Sequence, residues 1–129
     1  MVANADWNSR TYPITRADLV AYADASGDHN PIHQDEAVAR SVGLPGVIAH
    51  GMFTLALAAR YVDEALGETG RIAQIGAKFT RPVVVPEEGT EVIVSGEVRD
   101  DVTILLTVTC GGEKVLAMAR ATVRTAPAA

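Results

Sequence analysis

Gly51-Met52-Phe53-Thr54-Leu55-Ala56-Leu57-Ala58-Ala59-Arg60-Tyr61-Val62-Asp63-Glu64-Ala65-Leu66 is the stretch on which the fold turns. Met52, Leu55, Ala59, Val62 and Leu66 recur at alternating steps of three and four, the period of a single helical stripe. Phe53, Ala56, Leu57 and Ala58 make the first half apolar on nearly every side, which predicts a buried helix. Arg60, Asp63 and Glu64 predict that it emerges toward its C-terminus, and Gly67 ends it. The small residues Ala56, Ala58 and Ala59 are expected to let a neighbouring layer come close.

Downstream of this helix the period changes to two. Ala73, Ile75, Ala77 and Phe79 alternate with polar or small residues, and Pro82 and Pro86 close that region. Val92, Val94 and Val98 predict one face of a second strand, and Asp100-Asp101 a turn. Val102, Ile104, Leu106 and Val108 predict a third strand, with Thr103, Thr107 and Thr109 on its other face. Gly111-Gly112 is a hairpin signal, and Val115, Ala117, Ala119, Ala121 and Val123 alternate in the last strand. Upstream, Arg10 to Ile14 reads as a short extended segment in which Pro13 favours an edge. Thr15 and Asp18 form a capping-box pattern for a helix carrying Leu19, Val20, Tyr22 and Ala23, which stops near Ser26-Gly27. A second short helix is expected from about Asp35 to Val42, ended by Gly43, and Leu44-Pro45-Gly46 forces a turn. Four antiparallel strands with one apolar face, one long apolar helix and a short N-terminal strand have an evident solution: the sheet curls around the helix. The expectation is an α+β fold of one domain, residues 1–129.

The composition excludes several functions. The chain has 129 residues, 48% hydrophobic and 21% charged, as in a folded globular protein. Its net charge of −5 argues against sequence-independent nucleic-acid binding, which needs clustered Lys and Arg. One cysteine, Cys110, forms no intrachain disulfide and suits a reducing compartment. Met1 to Arg10 lacks the pattern of a signal peptide, and the longest apolar stretch, Met52 to Ala59, is too short to cross a bilayer. The expectation is a cytoplasmic protein with no membrane partner. Low complexity is confined to the Ala/Pro tail after Thr125.

Two constellations carry chemistry. Ser26-Gly27-Asp28-His29-Asn30-Pro31-Ile32-His33 gathers five polar side chains in a loop stiffened by Pro31. A rigid turn of this kind places Asp28 and His33 facing one another about one water apart, an acid–base pair suited to neutral pH. Asn30 would orient either partner or bind a substrate oxygen. Alone, the loop also reads as Ser and Asx residues satisfying backbone groups. Asp24, Asp28, His29 and His33 are potential metal ligands, but alternate residues on one loop chelate awkwardly, and no metal is expected. The second constellation, Ala49-His50-Gly51-Met52, opens the long helix. Gly51 leaves its terminal amides sterically open, a site for an oxygen that gains negative charge in a reaction. The plain alternative is that Gly51 relieves crowding between helix and sheet. Together the two constellations fit addition of water to C3 of a 2-enoyl thioester, which needs a polarised carbonyl and an acid–base pair.

Ala25-Ser26-Gly27-Asp28-His29-Asn30-Pro31-Ile32-His33 followed by Ile48-Ala49-His50-Gly51-Met52 resembles the signature of the MaoC-like, or hydratase 2, family. Lys78-Phe79-Thr80-Arg81-Pro82-Val83 resembles the strand after the central helix of that family, and the resemblance runs from about Tyr12 to Val123. Length and details are particularly similar to B subunits of actinobacterial (3R)-hydroxyacyl carrier-protein dehydratases. The resemblance implies a hot-dog fold, an antiparallel sheet wrapped around a long central helix. It implies reversible, cofactor-free hydration of trans-2-enoyl thioesters, of CoA or an acyl carrier protein, to (3R)-3-hydroxyacyl thioesters. Asp28 and His33 would be catalytic, with Asn30, Gly51, Ser26 and His50 around the substrate; position 29 varies in that family, so His29 is not assigned a role. Other readings on the same fold are an acyl-CoA thioesterase, disfavoured because Met52 to Leu57 holds no carboxylate, and a subunit active only beside a motif-lacking partner. Edge strands and an uncovered outer face predict a homodimer or a heterodimer with a related hot-dog subunit. Lys78 and Arg81 could meet ligand phosphates, but the favoured reading of each is a simple surface charge.

Overall fold

The computed structural model describes residues 2–125, so the Ala/Pro tail lies outside the described residues. Strand β1 (Arg10–Ile14) leads into helix α1 (Arg16–Ser26), capped as its sequence dictates. The Thr15 hydroxyl accepts the Asp18 amide at 3.1 Å, and the Asp18 carboxylate accepts the Thr15 amide at 2.8 Å. Gly27 terminates α1 in the left-handed conformation, φ 80°. A single 3-10 helical turn (Pro31–His33) and the short α2 (Glu36–Ser41) come after it. The long helix α3 (Gly51–Leu66) is next, then strands β2 (Ile72–Phe79), β3 (Thr90–Val98), β4 (Thr103–Cys110), β5 (Glu113–Lys114) and β6 (Leu116–Val123).

All pairings among these strands are antiparallel. The sheet order is β1-β3-β4-β6-β2, with β5 paired to β4, so β1 and β2 form its two edges. Val92 and Val94 of β3, Ile104, Leu106 and Val108 of β4, and Ala121 and Val123 of β6 are buried against α3, as their alternation predicts. Pro13, which cannot donate to a ladder, lies on edge strand β1. The helix wrapped by an antiparallel sheet is the hot-dog architecture expected from the sequence.

The phase of α3 differs from its hydrophobic stripe. Its buried face is Thr54, Ala58, Tyr61, Val62 and Ala65. Of the expected set only Val62 is fully buried; Leu55, Ala59 and Leu66 are half-buried and Met52 is 57% exposed. Hydrophobicity alone undervalues Thr54 and Tyr61. The Tyr61 hydroxyl donates at the Trp7 and Asn8 carbonyls, at 2.7 and 3.1 Å, which satisfies its polar end in the core. Nor is α3 enclosed on all sides, because Ala56 is exposed. Of the three small residues Ala58 is the one fully buried, and on the sheet side the close approach to the helix is at Gly96 of β3. A Cβ on Gly96 would stand 3.0 Å from Trp7 and 3.2 Å from both Tyr61 and Ile104.

Three strand expectations also shift. Strand β2 buries no residue completely and has register shifts on both sides of Gln74–Gly76, and Phe79 at its end is 54% exposed. The last strand begins at Leu116, one residue later than expected, and the short β5 precedes it. Within β6, Met118 takes φ 53° opposite the second register shift, so alternation breaks there: Leu116 and Ala119 are buried, and Ala117 only partly. Thr103, expected on the polar face of β4, is buried at the strand's first position. On α1, Leu19 and Ala23 are buried while Val20 is exposed.

Candidate active site

The loop between α1 and α2 is organised by three successive side-chain bonds to amides two residues on. Ser26 Oγ accepts from the Asp28 amide at 3.1 Å, Asp28 Oδ1 from the Asn30 amide at 3.2 Å, and Asn30 Oδ1 from the Ile32 amide at 3.2 Å. Asn30 precedes proline with ψ 123°, and Pro31 opens the 3-10 turn that carries His33. The backbone-satisfying reading of this loop and the chemical one therefore coexist. Asp28 spends Oδ1 on the loop, which leaves Oδ2 facing His33.

His33 is buried, with 7% of its surface exposed, whereas the Asp28 side chain is half-exposed. His33 Nδ1 lies 2.7 Å from the Ile48 carbonyl oxygen. A carbonyl only accepts, so Nδ1 carries the proton and the neutral ring presents the Nε2 lone pair. Nε2 lies 3.9 Å from Asp28 Oδ2. Two acceptors at that separation do not bond directly; a donor between them, such as a water, serves both.

The strand-like segment 47–49 holds this arrangement. The Val85 amide donates to the Val47 carbonyl at 2.8 Å, the Ala49 amide to the Val83 carbonyl at 2.9 Å, and the Ile48 amide to the Ile32 carbonyl at 3.2 Å. Glu36 anchors the same segment from α2, accepting from Arg16 at 2.7 Å and from the Val47 amide at 3.2 Å. The Arg16 bond, aided by the Val47 amide, holds the Glu36 carboxyl below its ordinary 4.5 despite partial desolvation.

His50 is the N-cap residue of α3, without a capping side-chain bond. Its ring is 2% exposed. It stacks on His33 with centroids 3.7 Å apart and planes at 22°, and its Nε2–H donates to the Asp28 carbonyl at 3.1 Å. His50 Nδ1 is buried without a hydrogen-bond partner. Tyr22 of α1 packs on His50 (4.9 Å) and, edge-on, on Phe53 (5.3 Å). The amides of Phe53 and Thr54 turn back to the His50 carbonyl, which leaves Gly51 and Met52 to head the helix. A Cβ on Gly51 would lie 3.0 Å from the Phe79 ring, so glycine permits that close packing.

A cleft of about 420 Å³ is lined by Tyr22, Ser26, Asp28, His50, Gly51, Met52 and Phe79. The structure thus brings Ser26, Asp28, His50 and Gly51 to one opening, with His33 directly behind. Asn30 does not line the cleft; its Oδ1 caps the 3-10 turn, which leaves its NH2 group as the donor for a substrate oxygen. Asp28, His33 and His50 offer ligand atoms within 4.8 Å of one another, a trio that did not emerge from the sequence. The rings lie stacked 3.7 Å apart with planes at 22°, so lone pairs confined to those planes do not meet at one metal ion as they stand. The His50 stack and the Phe79 ring over Gly51 were likewise not anticipated. The sequence places His50 around the substrate but carries no signal for its stacking on His33, and Phe79 shows in it only as an aromatic at the end of a strand.

The model of the MaoC like domain matches residues 4–114. A 3-hydroxyacyl-thioester dehydratase X of Mycobacterium tuberculosis is 35% identical over 91 residues, which cover 70% of this chain and 31% of that protein. The chain therefore spans less than a third of that relative's length. Among solved structures, the R-hydratase PhaJ1 from Pseudomonas aeruginosa in its unliganded form superposes with a TM-score of 0.81 at 29% identity, covering 95% of this chain and 81% of that one. The (R)-hydratase from A. caviae involved in PHA biosynthesis gives 0.78 at 26%, covering 93% and 94%. No helix among the described residues is long and apolar enough to cross a membrane. With the family model covering most of its length, and with a sheet wrapped around a helix whose N-terminus meets an Asp–His pair, the chain belongs to the MaoC-like domain family.

Proposed function

We propose that this chain is a hydro-lyase, one domain over residues 1–129, that interconverts trans-2-enoyl and (3R)-3-hydroxyacyl thioesters. The observation that carries the reading is the 3.9 Å gap between Asp28 Oδ2 and His33 Nε2, two acceptors beside the head of α3. A water in that gap donates one hydrogen to each and turns a lone pair toward the cleft. The thioester carbonyl accepts from the Gly51 amide, whose helix-end position favours negative charge on the oxygen. Water oxygen bonds to C3, the C2=C3 electrons move toward the carbonyl, and the pair takes one water proton. The same pair returns a proton to C2, so it ends as it began, and hydroxyl and hydrogen add to one face. Dehydration retraces these steps. The (3R) configuration is carried over from the named (R)-hydratases.

Ser26 and Asn30 act through the loop ladder that aims Asp28. The thioester arm is that of CoA or of an acyl carrier protein, and the acting unit is a dimer, either of two copies or with a related hot-dog subunit. Hydrolysis of the thioester is disfavoured by placement. The first carboxylate on α3 is Asp63, twelve residues from Gly51 and roughly 18 Å along the axis.

Asp28→Asn and His33→Ala are each expected to lower turnover of crotonyl-CoA hydration by about 10²- to 10⁴-fold with unchanged circular dichroism. Near-normal hydration by both purified variants overturns the assignment. A thiol reagent in the same cuvette separates the chemistries: hydration removes enoyl absorbance without free thiol, hydrolysis releases it.

A further inference from the structure

We propose that Phe79 is a specificity-determining residue: its ring is the wall at which the acyl chain of the substrate stops. The inference rests on the thioester reading above and adds what limits the substrate. Two clefts open at the head of α3. The reacting cleft, about 420 Å³, contains Asp28 and His50. A second, about 250 Å³, also borders Gly51, and its walls combine the apolar Ile48, Val83, Val115 and Leu116 with the polar Thr54 and Arg81. Gly51 and Phe79 are the two residues that line both. The Phe79 ring rests on the Gly51 backbone so closely that a Cβ there would meet three of its carbons at 3.0–3.3 Å. One aromatic ring thus stands between the reacting cleft and a second, mainly apolar one.

The two branches of a thioester have different needs. The sulfur branch leads to a long polar arm and needs an exit to solvent, which the exposed Ser26, Asp28 and Met52 border. The acyl branch beyond C3 is hydrocarbon and gains from apolar walls. Tyr22, Met52 and Phe79 offer those walls in the reacting cleft, and the Phe79 ring stands between them and the further apolar side chains of the second cleft. The ring can be trimmed without opening the core. Phe79 is 54% exposed at the end of an edge strand, and the backbone beside it is fixed independently by the Thr80 amide on the Val115 carbonyl at 3.2 Å.

The test measures kcat/KM of the wild-type chain, Phe79→Leu and Phe79→Ala on crotonyl-, trans-2-octenoyl- and trans-2-dodecenoyl-CoA. Each methylene newly buried behind the wall is worth about fourfold. Phe79→Ala is therefore expected to raise the dodecenoyl-to-crotonyl ratio at least about tenfold over wild type, and Phe79→Leu about threefold. Competitive inhibition of the wild type by saturated acyl-CoAs gives a reading that needs no variant: the inhibition constant should cease to improve once the chain reaches the ring. An unchanged ratio in folded variants overturns the proposal, as does a proportional loss on all three substrates or a wild-type inhibition constant that improves steadily with every added methylene. If the wild type hydrates none of the substrates, either alone or with a related hot-dog subunit added, the function itself fails and Phe79 with it. Retained crotonyl-CoA hydration without a change in ratio removes only the wall.

Discussion

His50 touches both members of the proposed pair at once. Its Nε2–H holds the backbone carbonyl of Asp28, and its face lies on the ring of His33. Two substitutions divide these contacts. His50→Gln places an N–H donor the same number of bonds from Cα and removes the stacked ring; His50→Phe keeps a ring and removes the donor. Each is expected to lower kcat by up to about 10²-fold while moving KM less, because a small displacement of reacting groups costs rate before it costs binding. Kinetics on crotonyl-CoA checks this beside thermal melting, and wild-type kcat in both variants removes His50 from the site. Asp28, His33 and Gly51 were legible in the sequence because each depends on short-range chemistry: a rigid turn before a proline and a small residue at a helix start. The His50 contacts were not, since they require segment 47–49 to be stapled to both Ile32 and residues 83–85. No local period records that pairing.

Among the elements, α2 is held to the rest through Glu36, whose carboxylate accepts from Arg16 of α1 and from the Val47 amide leading into α3. These bonds hold its carboxyl below the ordinary 4.5, so the folded state favours the ionised form. The resulting stability is fully present above the unfolded-state value and is lost as pH falls through the lower folded-state value. Glu36→Gln should therefore melt below wild type at neutral pH, with the gap closing as pH drops under about 4.5. Urea midpoints of the two proteins across that range read the effect, and a gap that stays constant to pH 3 contradicts it. The elements themselves could be read because caps and turns are local: Thr15 with Asp18, Gly27, Pro31 and Gly67 all act where the sequence places them. Facing was harder. The α3 stripe was misphased because Thr54 and Tyr61 are core residues whose hydroxyls a hydrophobic pattern discounts. The β6 alternation holds at Ala119, Ala121 and Val123 and fails only before Met118, whose left-handed conformation puts Leu116 rather than Ala117 on the buried face.

At the scale of the whole molecule, the two sheet edges are unlike. Edge strand β1 is five residues long and carries Pro13, which blunts pairing with another chain. Edge strand β2 has eight residues, no proline, a single charge in Lys78, and no fully buried side chain. It ends at Phe79, which lines the reacting cleft, and Met52 stands exposed across the same opening. A second hot-dog domain seated on the β2 edge would satisfy the open backbone groups and bring its own residues to the mouth of the cleft. The expected mass in solution is about 27 kDa, twice the 13.6 kDa of the chain, and sedimentation equilibrium at several concentrations measures it. Dilution below the dissociation constant should lower specific activity in step with the loss of dimer, because each cleft is then left open on one side. A chain that is monomeric throughout and inactive alone, yet regains hydration when a related hot-dog subunit is added, assigns the β2 edge to a heterodimer. A monomer with undiminished activity at every concentration shows that the cleft needs no neighbour, and that the unprotected length of β2 serves no pairing.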